Sequence, residues 1–330
     1  MTAAASRRKR RRLAALLAVM VGLAHEEAFA QAQAQARAEA LTQAPLALVE
    51  FASLDQPGGR PVTLKGFWLP APSGTARNPA VALFHGCGGA LDKNGQLGQR
   101  LRGYAALLNQ QGLHALVVDS LTPRGERELC TQRTGTRAVT QAHRRLDALA
   151  AIQWLAQRPE VDAERIGLLG WSNGGSTVLA ATNVRQHDVA ARPIQPAFAV
   201  AFYPGCEAEL KRGYETRTPL LMLLGEADDW TPAAPCHQLA RHAKGVIPQI
   251  EAYAGAYHGF DSNAPVRLRK EVPNGVRPGE GVHVGGDAEA KRLSRERLLR
   301  FVAEQLVSGG PAHPSNDARP LRPPTTAARP

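Results

Sequence analysis

The sequence predicts an α/β fold, a single domain on a mainly parallel, doubly wound sheet flanked by helices. Three observations predict it. From residue 80 onward, short apolar runs alternate with longer amphipathic stretches, the pattern of strands joined by right-handed helical crossovers. The first two runs lack an intervening helix and suit an antiparallel edge. A chain of 330 residues that is 44% hydrophobic can also fill one large core.

The runs read as strands at Leu46 to Phe51, Val62 to Trp68, Ala80 to Phe84, His114 to Val118, Arg165 to Leu169, Phe198 to Phe202, Leu220 to Leu224 and Gln249 to Tyr253. The clearest helix runs from Val139 to Gln157, where Ala142, Leu146, Leu149, Ile152 and Leu155 share a face. Others are expected at Gly174 to Asn183, Ala234 to Ala243 and Ala288 to Val307. Ser262 to Gly286, rich in Pro, Gly and charge, reads as a surface loop between the last strand and the last helix.

Both ends stand apart from the domain, which is expected over residues 45–308. Arg7 to Arg12 form a basic stretch, Leu13 to Ala24 an apolar run, and Ala28-Phe29-Ala30 a small-x-small cleavage site, so residues 1–30 read as a cleaved signal peptide. The apolar run is well short of the roughly 20 residues a spanning helix needs, so no stable membrane anchor is expected. The expected location is therefore periplasmic or secreted, by the general or the twin-arginine route. A Gln/Ala-rich spacer follows at 31–44, and residues 309–330, with six prolines, read as a disordered tail.

The strongest chemical signal is Gly170-Trp171-Ser172-Asn173-Gly174-Gly175, between a predicted strand and a predicted helix. A serine on so sharp a turn needs neighbours without side chains where backbones nearly touch, and Gly170 and Gly174 supply them. A serine hydroxyl becomes a nucleophile only when a base takes its proton and a carboxylate orients that base. Gly225-Glu226-Ala227-Asp228-Asp229-Trp230-Thr231-Pro232 follows one strand, and Tyr257-His258-Gly259-Phe260-Asp261 follows the next. Asp228 is the expected acid, with Asp229 as the alternative; one of the two would cap the following helix. His258 is the expected base. The oxyanion donors would be the backbone N–H of Asn173 and that of Cys87 or Gly88, in His85-Gly86-Cys87-Gly88-Gly89 after the strand Ala80 to Phe84.

On these motifs the chain resembles the dienelactone hydrolase family of the α/β-hydrolase superfamily, over most of residues 45–307. The resemblance implies the α/β-hydrolase fold and places Ser172, Asp228 and His258 at the triad positions. Enzymes that open dienelactones carry cysteine at the elbow where this chain has serine. The elbow is also similar to that of secreted esterases and polyester hydrolases.

Cys87, Cys130, Cys206 and Cys236 form an even set. Three pairings are possible in an oxidising compartment, and four free buried thiols are the other outcome. Cys87 with Cys130 and Cys206 with Cys236 would each join loops that leave neighbouring strands. Trp171, Tyr203, Trp230 and Phe260 adjoin the catalytic loops and could either wall a substrate pocket or fill core. Arg124, in Asp119-Ser120-Leu121-Thr122-Pro123-Arg124-Gly125, could clamp a substrate carboxylate or form a structural salt bridge. His237 and His242 lie near Cys236 without recognisable metal-ligand spacing, and no cofactor or metal is expected.

The formal charge is +11, of which residues 1–30 carry six Lys/Arg and two Asp/Glu, leaving +7 on the remainder. That surplus is spread, with no basic stripe interleaved with aromatics, so nucleic acid is not an expected partner. The expected function is an exported serine hydrolase that cleaves carboxylic ester or lactone bonds, small or polymeric, through an acyl-enzyme. The same residues would serve a peptidase of this fold, and the scaffold could also carry a non-catalytic binding protein.

Overall fold

The computed structural model describes residues 46–72 and 77–308, so the leader at 1–30, the spacer at 31–44 and the tail at 309–330 lie outside the described residues. Its strands are β1 (Ala47–Ala52), β2 (Thr63–Leu69), β3 (Asn78–Phe84), β4 (His114–Asp119), β5 (Val161–Trp171), β6 (Phe198–Phe202), β7 (Glu215–Thr216), β8 (Leu220–Gly225), β9 (Lys244–Gly245), β10 (Gln249–Tyr253), β11 (Arg267–Arg269) and β12 (Val282–Val284). Eight of them make the main sheet, in the order β1-β2-β4-β3-β5-β6-β8-β10. β1 runs antiparallel to β2 and β2 antiparallel to β4; every other pair is parallel. The helices are α1 (Gln99–Gln110), α2 (Gln141–Ala156), α3 (Asn173–Thr182), α4 (His187–Ala190), α5 (Glu207–Arg212), α6 (Ala233–His242) and α7 (Ala288–Ser308).

The central strands are apolar throughout because both faces of the sheet are covered. Alternate residues feed two cores. Ala80, Ala82 and Phe84 of β3 face the helix layer of α2, α3 and α6, through Leu149, Ile152, Val178, Leu179 and Leu239. Val81 and Leu83 face the opposite layer, formed by Leu101, Tyr104 and Leu108 of α1 with Leu298 and Phe301 of α7. β6 and β8 divide in the same way, Ala199, Ala201 and Met222 to one side and Val200, Phe202 and Leu223 to the other.

Two regions differ from the sequence expectation. α1 was not anticipated, although a parallel β3–β4 pair requires a crossover. Its apolar stripe of Leu101, Tyr104, Ala105 and Leu108 has helical spacing, but Gly103 interrupts it and no side chain caps its start. The stretch 262–286 is also more than a loop, since β11 pairs antiparallel with β12 within it. Val284 forms a bridge with His258, and Gly285 N–H donates to the His258 carbonyl at 3.0 Å. The excursion therefore folds back onto the sheet edge where the candidate site lies.

Candidate active site

β5 ends at Trp171 and α3 begins at Asn173, leaving Ser172 at a sharp turn with φ 54° and ψ −116°. A positive φ is costly for any residue with a side chain, and here the surrounding backbone enforces it. A Cβ on Gly170 would sit 2.2 Å from Gly174 O, and one on Gly174 would sit 2.0 Å from Phe84 O. Both positions are closed to every other residue. Ser172 itself is 8% exposed and lines a cavity.

His258 arrives from the loop after β10. Its Nε2 lies 2.8 Å from Ser172 Oγ, and its Nδ1 lies 2.8 Å from Asp228 Oδ2. The three side chains come from sequence positions 86 and 30 residues apart, yet form one line of hydrogen bonds. Asp228 Oδ1 accepts N–H bonds from Trp230 at 2.8 Å and Thr231 at 2.9 Å, so both oxygens of the buried carboxylate are committed. Thr231 was missed in the sequence. Its Oγ1 lies 3.0 Å from Asp228 Oδ2 and 3.1 Å from His258 Nδ1, locking the pair laterally.

Asp229, the alternative acid, sits elsewhere. Its Oδ2 lies 2.7 Å from His283 Nδ1 and its Oδ1 accepts the His283 N–H at 2.8 Å, which anchors β12. Neither aspartate caps α6 as expected, because Pro232 occupies the cap position and no side chain bonds there. Asp228 instead forms the turn before the helix, through the Trp230 and Thr231 N–H groups, while its other oxygen holds His258.

The loop after β3 lies against the serine. A Cβ on Gly86 would be 3.6 Å from Ser172 Cβ, and Cys87 lines the cavity beside Ser172 and Asn173. Cys87 is joined to Cys130 and its carbonyl accepts the Leu129 N–H at 2.7 Å. A second disulfide joins Cys206 to Cys236, with Cys206 in the cavity wall. Both pairs are the ones that neighbouring strands would bring together.

His85 is buried beneath the loop, with Nδ1 2.7 Å from Gly86 O and Nε2 accepting the Ser120 N–H at 3.3 Å. That pattern fits only the neutral ring with its proton on Nδ1. Burial first, and then the Arg144 charge, push its pKa well below the usual histidine range.

The cavity over Ser172 has a volume of about 610 Å³. Trp230 lines it and packs on the His258 ring with centroids 4.6 Å apart. Tyr203 does not line it; buried, with φ 35°, it packs on His258 from behind at 4.6 Å and donates its hydroxyl to Asp261 at 2.6 Å. Trp171 and Phe260 are core residues, Trp171 stacked on Phe202 and Phe260 fully buried.

Arg124 also faces away from the cavity. Its guanidinium is bound by Asp147 at 2.8 Å and Asp55 at 2.7 Å, so a substrate clamp at this position is withdrawn. The cationic residues that do line the cavity are Lys211 and Arg137, the latter half-buried and held below the usual arginine pKa by desolvation. Pro273, Asn274, Gly275, Val276 and Pro278 of the excursion close the opposite wall.

Cys236 is consumed by its disulfide, and His237 Nε2 pairs with Glu226 at 2.9 Å. Among the described residues no group of three or more His, Cys, Asp or Glu is placed to hold a metal ion. No described helix is long and apolar enough to cross a membrane.

A model of the dienelactone hydrolase family matches residues 68–306. The fold is similar to that of an esterase from Thermogutta terrifontis in its propionate-bound form, at TM-score 0.52 and 20% identity over 79% of this chain and 94% of that one. It is also similar to a dienelactone hydrolase-like promiscuous phosphotriesterase from metagenomic libraries, at TM-score 0.54 and 20% identity over 79% and 99%. Among curated proteins no sequence matches.

Proposed function

The chain belongs to the dienelactone hydrolase family and is an ester-hydrolysing enzyme; on that premise we propose that it cleaves carboxylic esters or lactones with Ser172 as nucleophile, His258 as base and Asp228 as orienting acid. The observation that carries this reading is the unbroken line Ser172 Oγ, His258 Nε2, His258 Nδ1, Asp228 Oδ2, each contact 2.8 Å. In the first half-reaction the Ser172 proton passes to His258 Nε2 as Oγ attacks the ester carbonyl carbon. The oxyanion that forms is held by the N–H groups of Cys87 and Asn173. When the carbonyl re-forms, the carbon–oxygen bond to the alcohol breaks and His258 returns the proton to the leaving oxygen. Water then attacks the acyl-enzyme with His258 again as base, releasing the acid.

Serine at the elbow is the hard, poorly acidic nucleophile that needs this relay, and the close approach of His258 supplies it. A cavity of about 610 Å³ beside Ser172 suits an ester of small or medium size. The site needs no metal or cofactor for these steps. We further propose that residues 1–30 direct export to the periplasm or beyond, a reading supported by two disulfides, which persist in oxidising compartments. Residues 45–308 would then form the catalytic domain.

Turnover of p-nitrophenyl acyl esters by the purified protein and by Ser172→Ala tests the reading. Loss of turnover in a variant with an unchanged melting curve supports it, and full activity in that variant ends it.

A further inference from the structure

Arg144, in the first turn of α2, is fully buried. Burying a guanidinium is costly, and such a group ordinarily sits against a carboxylate. Arg144 forms no salt bridge among the described residues. The nearby Asp147 is taken by Arg124 and by the Ser53 hydroxyl, and Asp119 by Leu121 and Thr122. Arg144 is turned instead to two neutral oxygens, with Nη2 donating to His85 O at 2.8 Å and Nη1 to Asn173 Oδ1 at 2.5 Å.

These two oxygens belong to the two halves of the site. Asn173 follows the nucleophile. His85 precedes Gly86, and the Gly86 carbonyl, fixed by His85 Nδ1 at 2.7 Å, belongs to the same peptide unit as the Cys87 N–H. Gln141, one turn earlier on α2, adds a bond from Nε2 to Asn173 O at 3.0 Å, shared with Thr177 Oγ1 at 2.9 Å. No other side chain among the described residues bonds both the loop after β3 and the residue after Ser172.

We infer that Arg144 is a positioning residue of the oxyanion hole, a buried cation that sets the spacing and direction of the Cys87 and Asn173 N–H groups. This rests on the reading of Ser172 as nucleophile. Because the hole acts on the developing oxyanion and not on the bound ester, removing its support lowers kcat and leaves KM nearly unchanged. Burial pushes the Arg144 pKa down to about 10, which still leaves it charged at neutral pH. Its positive field also adds to that of the N–H dipoles.

The test measures kcat, KM and melting temperature for Arg144→Met, Arg144→Lys and Ser172→Ala on one p-nitrophenyl ester. Expected are a fall in kcat of about 100-fold for Arg144→Met with KM within about threefold, and recovery of about tenfold of that loss in Arg144→Lys. A folded Arg144→Met whose kcat stays within about threefold of the parent overturns the inference, as does a rise in KM at constant kcat. Should Arg144→Met fail to fold, Asn173→Ala removes one of the two contacts while keeping the cation; a loss of about tenfold in kcat supports the inference and an unchanged kcat overturns it. Activity surviving in Ser172→Ala would instead remove the underlying reading.

Discussion

The wall of the cavity that carries Ser172, Cys87 and Asn173 and the wall formed by Pro273 to Pro278 are secured by different means. The first is tied to the sheet by buried groups: a disulfide, a buried arginine, a neutral histidine and glycines that admit no side chain. The second hangs on partly exposed contacts. Asn274 Oδ1 accepts from Thr134, Asn274 Nδ2 donates to Gln132 O at 2.9 Å, and Asp229 grips His283 and the Val276 N–H. On the proposed mechanism, chemistry that tolerates little misplacement lies on the side held by buried groups, and the other side shapes the space around the substrate.

The contrast can be broken at either wall, and the largest effect is expected at the rigid one. His258→Ala should lower kcat on a p-nitrophenyl ester by about 10⁴-fold or more, because neither nucleophile nor leaving group then has a proton partner. Steady-state kinetics check this, and a loss below about 10²-fold would mean that another base serves Ser172.

Next in size is the Cys87–Cys130 bridge. Closing a loop with a sequence separation of 43 residues contributes about 4 kcal/mol by chain entropy. Replacing both cysteines by alanine should lower the denaturant midpoint accordingly and reduce kcat, since the oxyanion loop loses an anchor. The Cys206–Cys236 pair, with a separation of 30, should contribute a similar stability but leave kcat less affected. Equal losses of kcat from both would erase the distinction.

His85 sharpens the comparison through pH. Its folded pKa lies well below its unfolded one, so the unfolded chain binds the proton first and stability present above about pH 6.5 is lost as the pH falls toward the folded value. The slope is up to about 1.4 kcal/mol per pH unit. His85→Asn, which can keep a donor to Gly86 O, should show a shallower acid limb in thermal melts below about pH 6.5. An identical slope would remove His85 from the account.

The smallest effect is expected at the second wall, where the contacts are partly exposed. Asn274→Ala should change stability by about 1 kcal/mol or less and leave kcat on a short ester unchanged. It should shift KM across a series of acyl chain lengths. A loss of kcat as large as that of Arg144→Met would show that both walls serve the chemistry equally.

Much of this was legible in the sequence because its cues are local. The elbow declares itself through glycines that nothing else can replace, and His258 and Asp228 each follow a recognisable apolar run. Unbroken apolar strands such as Leu220 to Leu224 left no ambiguity about a sheet covered on both faces. What escaped depends on meetings between distant segments. Arg144 lies on a helix whose apolar face is plain, but nothing in its neighbours tells that it reaches both His85 and Asn173. Thr231 was visible in the acid motif, yet its bond to His258 exists only once the two loops meet. Arg124 left two readings open, a substrate clamp and a salt bridge, and only the fold decides for the salt bridge, since the carboxylates that bind it lie 69 and 23 residues away. Asp229 and Asp228 are adjacent in sequence, and only the three-dimensional placement of His283 and His258 separates their roles.

The most direct test of the central claim is covalent. Purified protein treated with a fluorophosphonate and digested should give one adduct per chain, on the peptide that contains Ser172, with no adduct in a folded Ser172→Ala variant. Modification at another residue, or none in protein that melts cooperatively, would contradict it.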